Sequence, residues 1–382
     1  MPPLRSTLPR LWAFALEHLL LLPVGASIAL IWANAAPESY YRATYAIAFA
    51  VNDVAMVFFF ALVTKEVVEA TAPGGVLHPW RRASMPAIAA LAATALSALI
   101  HVWVVDALDE PALEIAWPVT FGTDIALSYF VARIIYGRHP IIPFVLLLAI
   151  TSDALGFFAV ALFEPVPDLH LVQGTMIMAL AIAIAAMLRR ARVKSFWPYL
   201  LGAGTASWYA FLRGGLHPAF ALVPIMPFLP HAARDPGFFV DARPDATDTL
   251  SRFEIAWRYP AQIALLFFGL VNAGVQMRAL EPATMGLPIA MIAGRPVGVL
   301  LGAGIALAAR FHLPHHVGWR ELIVIGFTVA IGFSVALFFS AALLPPGQLR
   351  AETSMGVLLS LVAAPLAIAS ARLLRVGRFG RR

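Results

Sequence analysis

The sequence predicts an all-α polytopic membrane protein. Of its 382 residues, 61% are hydrophobic and only 13% are charged, and the mean hydropathy is +0.82. A soluble domain is about half apolar and about 25% charged. Apolar runs recur along the whole chain with short polar loops between them. We therefore expect residues 1–382 to form a single integral membrane domain.

The apolar runs have the length that crosses a bilayer, roughly 17–25 residues. They predict about twelve transmembrane helices. The first run contains Glu17 and His18 and is too long for a signal peptide, so we expect it to be retained. The helices are expected at 11–34, 45–70, 84–105, 112–134, 140–163, 171–190, 195–212, 215–230, 249–277, 284–309, 320–344 and 353–375.

Basic residues predict the orientation of the chain. Most of the 27 Lys and Arg residues lie in alternate loops, on the same side as both termini. Cytoplasmic loops carry this excess, so both termini are expected in the cytoplasm, which requires an even number of helices. The pI near 10.0 then indicates topology, and nucleic acid is not an expected partner. The absence of cysteine excludes disulfides and Cys-ligated metals.

Two predicted helices contain interruptions near their middle. One is broken around 118–124, and the other contains Gly326 and the run 331–334. Paired interruptions in corresponding segments indicate two related halves and a transporter site built from broken helices. Lipid tolerates a broken helix only where it lines a cavity.

A carboxylate, Asp153, lies inside the apolar segment 143–163. An ionisable group at this depth costs several kcal/mol and indicates a functional site. It can bind a small cation or a proton, which would compete for the same group. The alternative is a protonated carboxyl that only links helices. In 284–309, Arg295 is a buried guanidinium that needs a partner, and we expect this to be Asp153, either for charge balance in transport or as a structural ion pair.

The pair Thr123 and Asp124 lies at the first interruption, with two alternatives open. Their oxygens can help to ligate a cation. Equally, Asp124 can neutralise the positive end of a facing half-helix.

Charged residues near helix ends are harder to interpret. Asp53 is expected to begin the membrane part of the second helix, and Lys65 and Glu69 near its end are expected to extend to the interface. Glu66 is open between an interfacial and a functional role. His217 either senses pH or is an interfacial histidine without a role.

Ordered motifs along nearly the whole chain resemble the NhaA-type sodium/proton antiporters of bacteria. The matching stretches are IWANA (31–35), ND (52–53), FFF (58–60), EV (66–67), GTDIA (122–126), LAITSD (148–153), ALF (161–163), GLH (215–217), NAGV (272–275), GRPVG (294–298) and IGFS (331–334). The resemblance implies inverted repeats at about 84–163 and 284–375, with two broken helices that cross.

The resemblance also implies a function and roles for residues. It implies exchange of Na⁺ or Li⁺ for protons by alternating access in the inner membrane, without a cofactor and with lipid as the surroundings. Asp153 takes the place of the essential ion- and proton-binding aspartate, with Thr123 and Asp124 as the broken-helix pair, and Ser152 is grouped with these three at the ion site. Glu66 takes the place of an acid tied to pH response at the cytoplasmic mouth. His217 takes that of a histidine linked to pH sensing, and Asp53 is grouped with these two. A homodimer, with an edge at 35–50, is suggested by the family alone.

Two departures from the family pattern bear on mechanism. Ser152 stands where the family usually has a first aspartate beside Asp153, and Arg295 stands where it usually has lysine. Arginine holds its charge and cannot carry a proton. One titratable carboxylate remains, which predicts electroneutral exchange of one proton for one cation. The alternative is a non-transporting relative that senses ions or pH.

Overall fold

In the computed structural model, the described residues are 21–71, 81–137, 139–163, 170–231, 248–314 and 317–380. Every regular element within these ranges is helical, which confirms the all-α class. Contacts divide the chain into two compact units, residues 1–78 with 164–274, and residues 79–163 with 275–382. The interpretation of 1–382 as one domain stays a prediction. The start of the first helix and the connector 232–247 lie outside the described residues.

The described helices have the lengths of a polytopic membrane protein. Six are long and apolar enough to cross a membrane, and two bent pairs raise the number to eight if each pair is one span. The first broken helix consists of Pro111–Phe121 and Ile125–Tyr136, bent by 58°, and the second of Trp319–Val329 and Ser334–Leu343, bent by 50°. Both predicted interruptions are therefore confirmed.

The first unit contains Asp53, Lys65 and His217. Its elements are Leu21–Ala35, Pro37–Phe49, the π-helical turn Ala50–Ala55, Met56–Thr71, Leu171–Arg190, the π-helical turn Tyr199–Gly204, Thr205–Gly214, the 3₁₀ turns Pro218–Phe220 and Met226–Phe228, and Thr249–Asn272. We name Met56–Thr71 the lysine helix.

Two predictions in this unit are wrong. The expected helix at 215–230 is replaced by turns and short 3₁₀ segments. Pro218, Pro224 and Pro227 cannot donate a backbone hydrogen bond and clash with the preceding turn of an α-helix. The second predicted helix begins at Pro37 and not near 45, because proline suits the first turn of a helix. The resulting span is 37–69, so Asp53 lies near its middle.

The second unit contains both broken helices and both predicted repeats, whose inverted relation stays a prediction. Its elements are Arg81–Ala107, the first broken helix, Ile142–Phe163, Met277–Ala279, Pro282–Met285, Gly286–Ala308, the second broken helix, Gln348–Leu359, Ser360–Val362, Ala363–Leu373 and Gly377–Phe379. We name Ile142–Phe163 the aspartate helix and Gly286–Ala308 the arginine helix.

Candidate functional site

The breaks of the two broken helices contact each other in the second unit. The N–H of Asp124 donates to the carbonyl of Ile331 at 2.6 Å, and Ser128 Oγ donates to the carbonyl of Thr328 at 2.9 Å. A Cβ on Gly122 would lie 2.6 Å from Cα of Ala336, so only glycine permits this approach. Each break thus satisfies polar backbone groups that the other leaves open, which the bilayer interior cannot do.

Asp124 caps two half-helices at once. Its Oδ1 accepts the N–H of Leu127 at 2.8 Å at the start of Ile125–Tyr136. Its Oδ2 accepts the N–H of Ser334 at 3.1 Å, at the start of the facing half-helix. Helix N-termini carry partial positive charge and unpaired N–H groups, which a carboxylate satisfies. Of the two alternatives for Asp124, the geometry favours the capping role.

Asp153 lies beside the first break and is only 1% exposed. Its Oδ1 accepts the N–H of Thr123 at 2.7 Å. Its Oδ2 has no hydrogen-bond partner among the residues that the structure describes. One oxygen is thus fixed by the backbone of the break, and the other can bind a cation or a proton.

Ser152 turns its hydroxyl toward its own helix. Its Oγ donates to the carbonyl of Leu148 at 2.9 Å, and the side chain is fully buried. Such a bond to the preceding turn is typical of serine in a helix. Ser152 therefore adds no charge and no titratable group beside Asp153.

Arg295 is fully buried on the arginine helix and binds the end of the first half-helix. Its Nη2 donates to the carbonyls of Thr120 at 2.7 Å and Phe121 at 2.6 Å, and its Nη1 donates to Oγ1 of Thr123 at 3.2 Å. The carbonyls at a helix C-terminus carry partial negative charge and lack intrahelical partners. The guanidinium therefore serves as a cap for Pro111–Phe121.

The expected direct ion pair between Arg295 and Asp153 is not formed. The two groups interact electrostatically, and Thr123 connects them, with its N–H on Asp153 and its hydroxyl on Arg295. The prediction was wrong because the broken helix offers the guanidinium carbonyl acceptors that the sequence does not show. Thr123, Asp124, Asp153 and Arg295 nevertheless lie together at the junction of the breaks, and their roles in ion binding stay predictions.

Asp124 and Asp153 supply the carboxylates at this centre. Within the described ranges, no group of three or more His, Cys, Asp or Glu side chains could hold a metal ion.

In the first unit, Asp53 and His217 come together at a π-helical turn. Nε2 of His217 lies 3.9 Å from Oδ1 of Asp53, and the indole N–H of Trp208 donates to the carbonyl of Asp53 at 2.8 Å. Asn52 and Asn272 exchange amide hydrogen bonds beside them, at 2.8 and 3.3 Å. Such π-helical turns occur frequently at functional sites.

Lys65 is the centre of a second charged group in this unit. Its Nζ lies 3.3 Å from Glu66, 2.7 Å from Glu69 and 2.8 Å from Glu254. Lys65 is 1% exposed and Glu69 is 8% exposed, so the expectation that they extend to the interface is wrong. The reason is Glu254, whose helix Thr249–Asn272 packs on the lysine helix and completes three acceptors for the ammonium. Sequence reasoning missed Glu254, although an acid within the run 249–277 was a usable signal.

The three residues expected to respond to pH do not form one group. Glu66 belongs to the group around Lys65, whereas Asp53 and His217 contact each other. At 1.5 Å per residue, Asp53 and Glu66 are about 20 Å apart along the helical span that carries both.

Apolar spans, two broken helices joined at their breaks and a buried carboxylate at that junction define a multi-pass membrane transporter of the broken-helix type. The family described as Na⁺/H⁺ antiporter 1 matches residues 15–371. The chain belongs to this family, which confirms the resemblance seen in the sequence.

Relatives match over almost their whole length. Proteins named Na⁺/H⁺ antiporter NhaA from Desulfitobacterium hafniense and Geotalea uraniireducens are each 36% identical to this chain. The alignments cover 97% of this chain and 98% of the first relative, and 94% and 95% for the second. A third, from Jannaschia sp., is 35% identical over 96% of this chain and 98% of its own.

A solved structure has a similar fold. The sodium proton antiporter MjNhaP1 from Methanocaldococcus jannaschii superposes with a TM-score of 0.61 at 14% identity, covering 95% of this chain and 92% of that one.

Proposed function

We propose that this protein exchanges Na⁺ or Li⁺ for protons across the bacterial inner membrane. Membership of the antiporter family supports cation/proton exchange, and hence a transporter rather than a catalytic enzyme. The observation that carries the proposal is the buried carboxylate of Asp153, with one oxygen on the N–H of Thr123 and the other unpartnered within the described residues.

Exchange follows from competition for this carboxylate. A proton on Asp153 removes the negative charge that attracts a cation, and a bound cation excludes the proton. When Asp153 is reached alternately from the two sides, each passage carries one or the other but never both. The carrier is a secondary active transporter driven by ion gradients and works without a cofactor.

A stoichiometry of one proton per cation is part of the proposal. Asp124 is engaged by two backbone N–H groups, Ser152 has no charge, and Arg295 holds its proton. Asp153 is then the one group at this centre that changes protonation during the cycle. One-for-one exchange moves no net charge, so its rate would not depend on membrane voltage.

The remaining elements of the proposal concern regulation and assembly. Asp53 with His217, and Glu66 at the cytoplasmic mouth, adjust the rate to pH from two separate places. Both termini lie in the cytoplasm, as the distribution of basic residues indicates. Two copies associate through an edge at 35–50.

The test uses purified protein in liposomes with an imposed pH gradient. Na⁺, Li⁺ or K⁺ is added, and internal pH is followed with and without a valinomycin/K⁺ clamp. We expect Na⁺ and Li⁺ to dissipate the gradient at a rate independent of voltage. Voltage-dependent exchange would contradict the one-for-one stoichiometry. No response to any cation, from protein shown to be folded, would contradict antiport itself.

A further inference from the structure

The aspartate helix makes a very close contact one turn beyond Asp153, at the buried Gly156. A Cβ placed there would meet the ring of Phe339, 2.7 Å from Cζ, and would lie 2.9 Å from Cβ of Phe121. Real Cβ atoms do not approach other atoms this closely. Residues three apart lie on the same face of a helix, so this contact and the carboxylate of Asp153 face the same neighbours.

The two phenylalanines belong to the two broken helices. Phe121 ends the first half of one and is close in sequence to Thr123, which holds Asp153. Phe339 lies in Ser334–Leu343, is fully buried, and has its ring edge-on to Phe157 at 5.2 Å between centroids. A ring enclosed in this way has no room to move aside, because protein interiors are close-packed.

The distance between the aspartate helix and the breaks of the broken helices is therefore limited in both directions. The aspartate helix cannot move closer to the breaks, because Gly156 already touches Phe339. It cannot move away without lengthening the 2.7 Å bond between Asp153 and the N–H of Thr123. The separation of the aspartate helix from the two broken helices is therefore fixed by packing outside the polar centre.

We infer that Gly156 and Phe339 are positioning residues that set the width of the cation site on Asp153, and that they hold it to the size of Li⁺ and Na⁺. This inference rests on the proposed function. Neither residue offers a ligand to the ion, and both act through the distance between the aspartate helix and the broken helices. A site of fixed width distinguishes cations by radius, so widening the site weakens the binding of the smaller ion more.

The test is the variant Gly156→Ala, whose methyl group pushes the aspartate helix away from Phe339. In liposomes at fixed pH, we expect the KM for Na⁺ to rise at least about fivefold and that for Li⁺ to rise more, with the maximal rate within about twofold of wild type, since a small misplacement of a supporting shell loosens a site. The matched control is Gly304→Ala on the arginine helix, where a Cβ meets nothing within 4 Å. Its KM values should stay at the wild-type level.

A compensating pair separates positioning from general damage. Phe339→Leu removes the stop, so it should also raise the KM for Na⁺ with little change in maximal rate. The double variant Gly156→Ala/Phe339→Leu puts the new methyl into the space that the ring vacates, and its KM should fall below that of Phe339→Leu. This comparison decides the question even if Gly156→Ala alone does not fold.

The outcomes are distinct from failure of the proposed function, which wild-type protein without exchange would show. With an active wild type, unchanged KM values in Gly156→Ala would overturn the inference. So would a KM in the double variant as high as, or higher than, that of Phe339→Leu. A fall in maximal rate at constant KM would assign these residues to stability alone.

Discussion

Each unit buries a basic side chain near acids, but the groups that bind the buried positive charge differ between the two units. In the first unit, the ammonium of Lys65 is bound directly by three carboxylates, those of Glu66, Glu69 and Glu254. In the second, the guanidinium of Arg295 binds backbone carbonyls and a hydroxyl, and the carboxylate of Asp153 stays outside its contacts.

The difference teaches how a buried acid is kept ready for a ligand. A carboxylate paired directly with a cation has its charge already neutralised and binds a further ion poorly. At Asp153, the guanidinium of Arg295 is engaged by the carbonyls of the break, and Thr123 lies between the two groups. Under the proposed function, the second arrangement is the one that suits an exchangeable site.

The largest expected effect is on Asp153. The variant Asp153→Asn removes the group for which cation and proton compete, so we expect pH-gradient-driven Na⁺ exchange in liposomes to fall to background while the protein remains folded. The control is Asp106→Asn, at an exposed position near the end of Arg81–Ala107, which should exchange at the wild-type rate. Robust exchange by Asp153→Asn would end the assignment of this site.

The next effect is the loss of the cation in the first unit. Lys65→Met leaves the buried carboxylates of Glu69 and Glu254 and the half-buried one of Glu66 without their ammonium, and breaking a buried pair costs about 3–5 kcal/mol of unfolding free energy. Thermal unfolding in detergent should show a large decrease in Tm, whereas Lys194→Met, at the exposed second lysine, should show none. Equal Tm values in the two variants would mean that the group around Lys65 does not stabilise this unit.

A third change converts the charge at the second centre from fixed to titratable. Arg295→Lys keeps a positive charge near Asp153 but introduces an amine that can release a proton when buried. We expect exchange to become voltage-dependent under the valinomycin clamp, with Arg295→Met as the control that cannot do so. Voltage-independent exchange in the lysine variant would show that the stoichiometry is set elsewhere.

The smallest effect is expected at Asp53 and His217. Their contact strengthens when the imidazole is protonated, because the ion pair then carries both charges. His217→Gln should therefore flatten the dependence of exchange rate on pH without changing the maximal rate. The exposed His170, changed to Gln, provides the comparison, and identical profiles for both variants would remove His217 from the pH response.

The parts of the site that could be predicted are those that one segment reveals alone. Asp153 could be recognised because a carboxylate in an apolar run costs free energy and is rarely present without a function. The breaks could be recognised because glycine, proline and polar residues interrupt a helix locally. The absence of an α-helix at 215–230 could also have been predicted from that segment alone, because its prolines are incompatible with a helix. The pairing of Arg295 and the burial of Lys65 were not predictable in this way, because each depends on a partner from a distant segment.

The sequence by itself determined the class of protein, the family, the broken helices and the four residues at the second centre. Hydropathy, charge placement and motif order are properties of the linear sequence and do not depend on contacts between distant segments. Only the tertiary structure decided which atoms bind which: carbonyls of the break for Arg295, two half-helix N-termini for Asp124, and Glu254 for Lys65. The physical reason is that buried charges take whatever partners packing brings within reach, and packing joins segments that lie far apart in the chain.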